Sequence, residues 1–275
     1  MAVTFVVVPQ WQGSVSPRAM RLADGAEAIR GDLPASSTVV VDVPVESGEA
    51  LDTGILRFSS LLRVRERQLQ ALHQVEDWAL TIGGDCGVSL SAIEHAATRN
   101  PGDLAVVWFD AHPDLNTAED SPSGAFTGMV LRALCGEGAL APDAANTLDP
   151  AKLVLAGIRD VDPGEERFIA EKRLAQIDSA ALETPTALVD AVRATGAGSV
   201  YLHIDLDVLD PAVIAGLANL LPFGLALEQL TAAITALRAE FTLAGATIAG
   251  FSPVSPLDAE DDLPSILRVI GSLTR

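Results

Sequence analysis

Short runs of valine, isoleucine and leucine alternate along the chain with longer amphipathic segments. The runs at 4–8 (TFVVV), 38–43 (TVVVDV), 78–83 (WALTIG), 104–110 (LAVVWFD), 152–157 (KLVLAG), 199–205 (SVYLHID) and 246–251 (ATIAGF) predict strands. Most are continuously apolar instead of alternating, the pattern of strands covered on both faces in a parallel sheet. Between them, residues 17–31, 59–76, 88–99, 123–135, 164–173, 186–194, 226–240 and 262–273 predict helices. This β-α alternation predicts an α/β fold, a mostly parallel sheet with helices on both sides.

No composition shift, linker or internal repeat divides residues 1–275, so a single domain is expected. In open α/β sheets ligands bind beyond the carboxyl ends of the strands. Three polar clusters fall there: GGDC after 78–82, DAHPD after 104–109 and DLD after 199–204.

Composition narrows the function. Hydrophobic residues make up 49% of the chain, enough for a large core and against wholesale disorder. The formal charge of −19 argues against nucleic acid or an anionic membrane as partner and favours cations in any carboxylate-lined site. Two cysteines, Cys86 and Cys135, make no disulfide framework and point to a reducing cytoplasm. The apolar run near the N-terminus lacks a basic flank and is too short for a signal peptide. The most apolar stretch, 212–227, is too interrupted by Gly216, Asn219, Pro222 and Gly224 to span a membrane.

Extended chain points residues i, i+2 and i+4 the same way. If the strand persists past Phe109, then Asp110, His112 and Asp114 form one row; His203, Asp205 and Asp207 form another. Two such rows at neighbouring strand ends bring together carboxylates that repel unless a cation neutralises them. Carboxylates with a few imidazoles suit Mn²⁺ or a comparable ion, and bridging aspartates suit two ions roughly 3.5–4 Å apart. Alternatively, each aspartate merely caps the loop or helix after its strand.

The segments GGDC (83–86), DAHPDLNT (110–117), SGAFTGM (123–129), GIRDVDPGE (157–165) and HIDLDVLDP (203–211) resemble, in order and spacing, the ureohydrolases, the arginase/agmatinase/formiminoglutamase family. The resemblance runs from about residue 80 to 260 and more weakly to both ends. It implies a three-layer α/β/α domain, a binuclear manganese centre and a homo-oligomer, trimeric or hexameric. The implied chemistry is hydrolysis of a guanidino, amidino or formimino carbon of a small molecule, with an amine leaving. Carried over by position, Asp110, His112, Asp114, Asp205 and Asp207 match metal ligands, with Asp110 and Asp205 bridging and Asp114 also catalytic. Asn116, Ser123 and Asp162 match positions that hold the amino-acid end of an arginase substrate.

Three departures fall within the matched site. Cys86 stands where the family's GGDH offers a histidine. It binds a softer metal such as Zn²⁺, Fe²⁺ or Ni²⁺ in place of Mn²⁺, binds none, or simply packs. Thr127 stands where a proton-shuttling histidine is usual, and a hydroxyl does not titrate near neutral pH. In SPVSP (252–256) Pro253 replaces a glutamate that pairs with the guanidinium. His203, in row with Asp205, is a candidate ligand, a partner of a ligand, a proton carrier, or a strand histidine bonded to backbone. His73 and His95 on helices, and Cys135, read as surface or packing residues. Glu165 and Glu166 read as the first turn of a helix, favoured by its dipole.

Taken together, the residues predict a cytoplasmic, metal-dependent hydrolase of a non-peptide C–N bond in a small molecule. Its rivals are a catalytically inactive ureohydrolase-like regulatory or assembly subunit, and a one-metal enzyme using Asp110, His112, Asp205 and Asp207.

Overall fold

Eight parallel strands build one sheet in the computed structural model, which describes residues 2–275. They are β1 (Val3–Val8), β2 (Thr38–Val40), β3 (Trp78–Gly83), β4 (Leu104–Phe109), β5 (Leu153–Ala156), β6 (Ala175–Ile177), β7 (Ser199–Asp205) and β8 (Thr242–Ala249). Their order across the sheet is β2-β1-β3-β8-β7-β4-β5-β6. Every residue of β3, β4 and β7 is buried, which explains their unbroken apolar sequence.

Alternation of side chains divides the core into two layers. Phe5, Val7, Val107 and Phe109 face the layer closed by α1 (Met20–Gly31), α6 (Thr186–Ala194), α7 (Leu227–Glu240) and α8 (Pro256–Thr274). Val6, Val8, Val106 and Trp108 face α2 (Phe58–Leu72), α3 (Ser89–Arg99), α4 (Val130–Leu134) and α5 (Pro163–Lys172). The expected three layers are therefore present.

Several boundaries differ from expectation for local reasons. β6 is an addition to the expected strands, because Ala175-Gln176-Ile177 is a short, half-exposed edge with no apolar run. β8 starts at Thr242, four residues early, in a segment too exposed to read as core. The helix expected over 123–135 is a 3-10 turn (Phe126–Met129) followed by the short α4, since Gly124 (φ +69°) and Gly128 interrupt it. α8 starts at Pro256, where Ser255 accepts a hydrogen bond from the Asp258 amide.

The sheet order makes β3, β8, β7 and β4 consecutive neighbours. Their carboxyl ends therefore carry the three polar clusters to one place.

Candidate metal centre

β3 gives way to its loop through Gly84, where an added Cβ would lie 1.9 Å from the Gln10 carbonyl oxygen. Asp85 then accepts hydrogen bonds from Gln10 Nε2, the Gly13 amide and the Gly87 amide, each at 2.8 Å. Burial pushes its carboxyl up to about 6 despite those three donors. Asp85 is thus consumed in shaping the turn that presents the buried Cys86.

At the end of β4 the strand geometry does not persist, and the expected row is corrected accordingly. The Asp110 carboxylate folds back to accept from the His112 amide (2.7 Å) and Trp108 Nε1 (3.1 Å). The Ala111 amide donates to Asp207 Oδ1 (3.0 Å), and Asp114 sits in the left-handed region at φ +51°. The second row is corrected too. His203 and Asp205 lie in β7, but Asp207 belongs to a 3-10 turn (Leu206–Val208) capped by Asp205, whose carboxylate accepts from the Asp207 amide. Turns, not extended chain, bring these side chains together.

They converge in two groups. The ligand atoms of Cys86, Asp110 and His203 lie within 4.8 Å of one another, as do those of Asp110, His112 and Asp207. Asp110 belongs to both. His112 Nδ1 is 3.4 Å from Asp110 Oδ1 and 3.1 Å from Asp207 Oδ2; His203 Nε2 is 3.6 Å from Asp110 Oδ2. Cys86 Sγ donates to Asp205 Oδ2 at 2.9 Å. Asp114 and Asp205 line the same cavity but fall outside both close groups, so Asp110 alone, and not Asp205 with it, is shared between them.

The electrostatics are those of crowded acids. Burial, with the charge of Asp110, holds Asp114 well above the carboxylate range, and burial with Asp207 does the same to Asp205. Asp207 is raised by burial and Asp110. Asp110 moves the other way: burial alone would raise it, but His112 and His203 bring it below the ordinary range. Burial opposes the charge on His112, yet Asp110 and Asp207 raise it to about 12. The Cys86 thiol is pushed well up by burial and by Asp205, Asp114 and Asp110. Without a cation the raised groups favour their protonated forms; a divalent ion would favour the release of those protons.

Above the two groups opens a cleft of about 460 Å³, lined by Asn116, Ser123, Thr127, Asp162, Ser14 and Asn219 among others. Asn116 Nδ2 donates to Asp162 Oδ2 at 2.8 Å, and the Ser123 hydroxyl accepts from the Ala125 amide at 3.2 Å. Among the described residues no lysine or arginine lines this cleft. His203 and Pro253 are not in its wall, whereas Gly250, at the end of β8, is. His95 on α3 packs edge-on against His73, outside both ligand groups, and Cys135 ends α4 against the core.

Other contributors gave little sign in the sequence. Glu165 does lie in the first turn of α5, but it also accepts from the Leu115 amide (2.9 Å) and the Asp162 amide (2.8 Å), tying that helix to the Asp114 loop. Burial pushes its carboxyl up to about 7. Arg159 donates to the carbonyls of Asp207 (2.6 Å) and Leu221 (3.0 Å), bracing the turn that carries Asp207. Ser89 and Trp108 contact His203, and neither stands out from its apolar or helical surroundings. The one available signal was proximity to a motif: Arg159 and Glu165 are part of RDVDPGE.

Comparison with known proteins adds a family. Residues 12–267 match the arginase family. The arginase of Staphylococcus aureus (strain MRSA252) is 30% identical over 198 residues, 68% of this chain and 64% of that one. This chain thus matches just under two thirds of that relative's length. The N(omega)-hydroxy-L-arginine amidinohydrolase of Streptomyces lavendulae is 32% identical over 201 residues, covering 73% of this chain and 69% of that one. Among solved structures, Entamoeba histolytica arginase in complex with L-ornithine superposes with a TM-score of 0.85 at 24% identity, covering 98% of this chain and 97% of that one.

Proposed function

This chain belongs to the arginase family, and from that membership we propose that it is a metal-dependent hydrolase of a C–N bond in a small guanidino, amidino or formimino compound. The observation that carries the reading is the pair of ligand groups sharing Asp110 at the floor of the cleft. Asp110, His112, Asp114, Asp205 and Asp207, with Cys86, would hold two divalent ions, Mn²⁺ suiting the oxygen-rich group of Asp110, His112 and Asp207. Orphaned atoms support the fit: Asp114 Oδ2 and His203 Nε2 are buried without a hydrogen-bond partner among the described residues. Such ions lower the pKa of water and stabilise the charge that develops at the carbon under attack.

The chain's own residues then orient substrate and move protons. Asp114, on the cleft wall with one oxygen free, takes a proton from the entering water and returns it to the departing nitrogen. Thr127 offers a hydroxyl that donates or accepts but does not titrate. Asp162, held by Asn116, presents a carboxylate to an amino group at the far end of the substrate, and Ser123 a hydroxyl. With several carboxylates and no lysine or arginine in its wall among the described residues, the cleft favours a substrate of positive charge.

The resemblance further supports a homo-oligomer, trimeric or hexameric. A cytoplasmic setting is supported by the two unpaired cysteines. No helix among the described residues is long and apolar enough to cross a membrane. The second reading, a catalytically silent subunit, is favoured by Thr127 and by Pro253, which brings no carboxylate to the place where the resemblance expects a guanidinium-pairing glutamate.

The test is a panel of guanidino, amidino and formimino compounds, assayed for urea, ammonia and formamide release by Mn²⁺-loaded and chelator-stripped protein. Release from at least one class, abolished by stripping and restored by metal, is expected. Retained metal with no release from any class would instead favour the silent subunit.

A further inference from the structure

His203 is buried and held in one orientation. It is fully buried in β7, paired in register with Trp108 of β4, and its imidazole stacks on that indole with centroids 3.5 Å apart and planes 13° from parallel. Ser89 Oγ, at the start of α3, lies 2.7 Å from His203 Nδ1. Ring plane and one nitrogen are therefore both fixed. The other nitrogen, Nε2, is buried without a hydrogen-bond partner and faces Asp110 Oδ2 at 3.6 Å, too long for a hydrogen bond. In the tautomer whose Nδ1 proton is donated to Ser89 Oγ, the form a metal-bound Nε2 requires, the Nε2 lone pair points into the space shared with Asp110 and Cys86. A lone pair, a carboxylate oxygen and a sulfur within 4.8 Å of one another, all on buried residues, make an unfavourable set unless a cation lies between them.

We propose that Cys86, His203 and Asp110 form a thiolate–imidazole–carboxylate position for a thiophilic divalent ion, Zn²⁺ or Fe²⁺, chemically distinct from the oxygen-rich position of Asp110, His112 and Asp207. The inference rests on the metal-dependent reading of this site and assigns its inner half. His203 thereby supplies, from the strand, the imidazole that the loop lacks at Cys86. Fully buried and absent from the cleft wall, its ring lies on the inner side of Asp110, as a ligand to the inner position requires. Binding breaks the Cys86 S–H bond: the thiolate binds the ion and the proton, now held toward Asp205, leaves to solvent. Ser89 is a positioning residue, acting on the ion only through the ring it orients.

Co²⁺, which takes zinc positions and reports thiolate ligation by a near-ultraviolet charge-transfer band, is the probe. It is loaded into the full chain, and absorption is read together with elemental cobalt content. The band is expected in the wild-type protein and in Cys135→Ser, and lost in Cys86→Ser. His203→Gln should weaken cobalt retention at least tenfold against a competing chelator, and Ser89→Ala by roughly tenfold, while far-ultraviolet circular dichroism stays unchanged. Because the band is read first on the wild-type chain, a variant that fails to fold leaves the answer intact. Cobalt retained without the band, or retained equally by His203→Gln, would overturn this assignment and leave the hydrolase reading standing. No retained cobalt, Mn²⁺ or Zn²⁺ at all would overturn both.

Discussion

Asp110 is where the chemistry of the site is concentrated, being the one residue shared by both ligand groups. Its carboxylate stays ionised against two imidazoles, while Asp114, Asp205, Asp207 and the Cys86 thiol are all raised. These shifts set the sign of the pH dependence. A raised group favours its protonated form, ions bind the deprotonated one, and affinity must therefore fall as pH falls. Calorimetry of Mn²⁺ or Zn²⁺ binding in buffers of different ionisation enthalpy should detect more than one proton released per chain at neutral pH. A buffer-independent enthalpy would contradict this proton count. The acids and His112 were legible in the sequence because two-residue spacing after an apolar run is unusual. Ser89 and Trp108 were not, since a helix-start serine and a core tryptophan look the same whether or not a histidine lies against them.

At the scale of elements, β3, β4 and β7 were legible because burial on both faces leaves nothing but apolar residues. The loops leaving those strands were less so. Periodicity carried Asp114 and Asp207 along an extended chain, whereas side-chain bonds from Asp110 and Asp205 to the amides two residues on turn it at once. The edge strand β6 and the broken α4 were hidden for a related reason, that their sequences carry turn and surface residues. Gly84 tests how tightly the β3 turn is set. A methyl group there meets the Gln10 carbonyl oxygen at 1.9 Å, and backbone cannot yield as a side-chain tip would. Gly84→Ala is expected to cost about 1–3 kcal/mol in urea unfolding of the metal-free protein. A loss below about 0.5 kcal/mol, the range of an ordinary surface change, would show the turn to be pliant.

For the whole molecule, the sheet order does the assembling: β3, β8, β7 and β4 lie side by side, so segments from residue 84 to residue 250 meet at one end of the sheet. The chain as a whole carries a net charge of −19, and among the described residues the cleft is lined by several carboxylates and no lysine or arginine. Both features favour cations at this end of the sheet, as the proposed metal-dependent reading requires. The most direct test is elemental analysis of metal per chain, after loading with Mn²⁺ and Zn²⁺ together and desalting, on the wild-type protein, His112→Ala and Asp110→Asn. The expected result is two retained divalent ions in the wild type, one in His112→Ala and none in Asp110→Asn. A wild-type chain that retains no ion would contradict the central claim that this is a metal-dependent site.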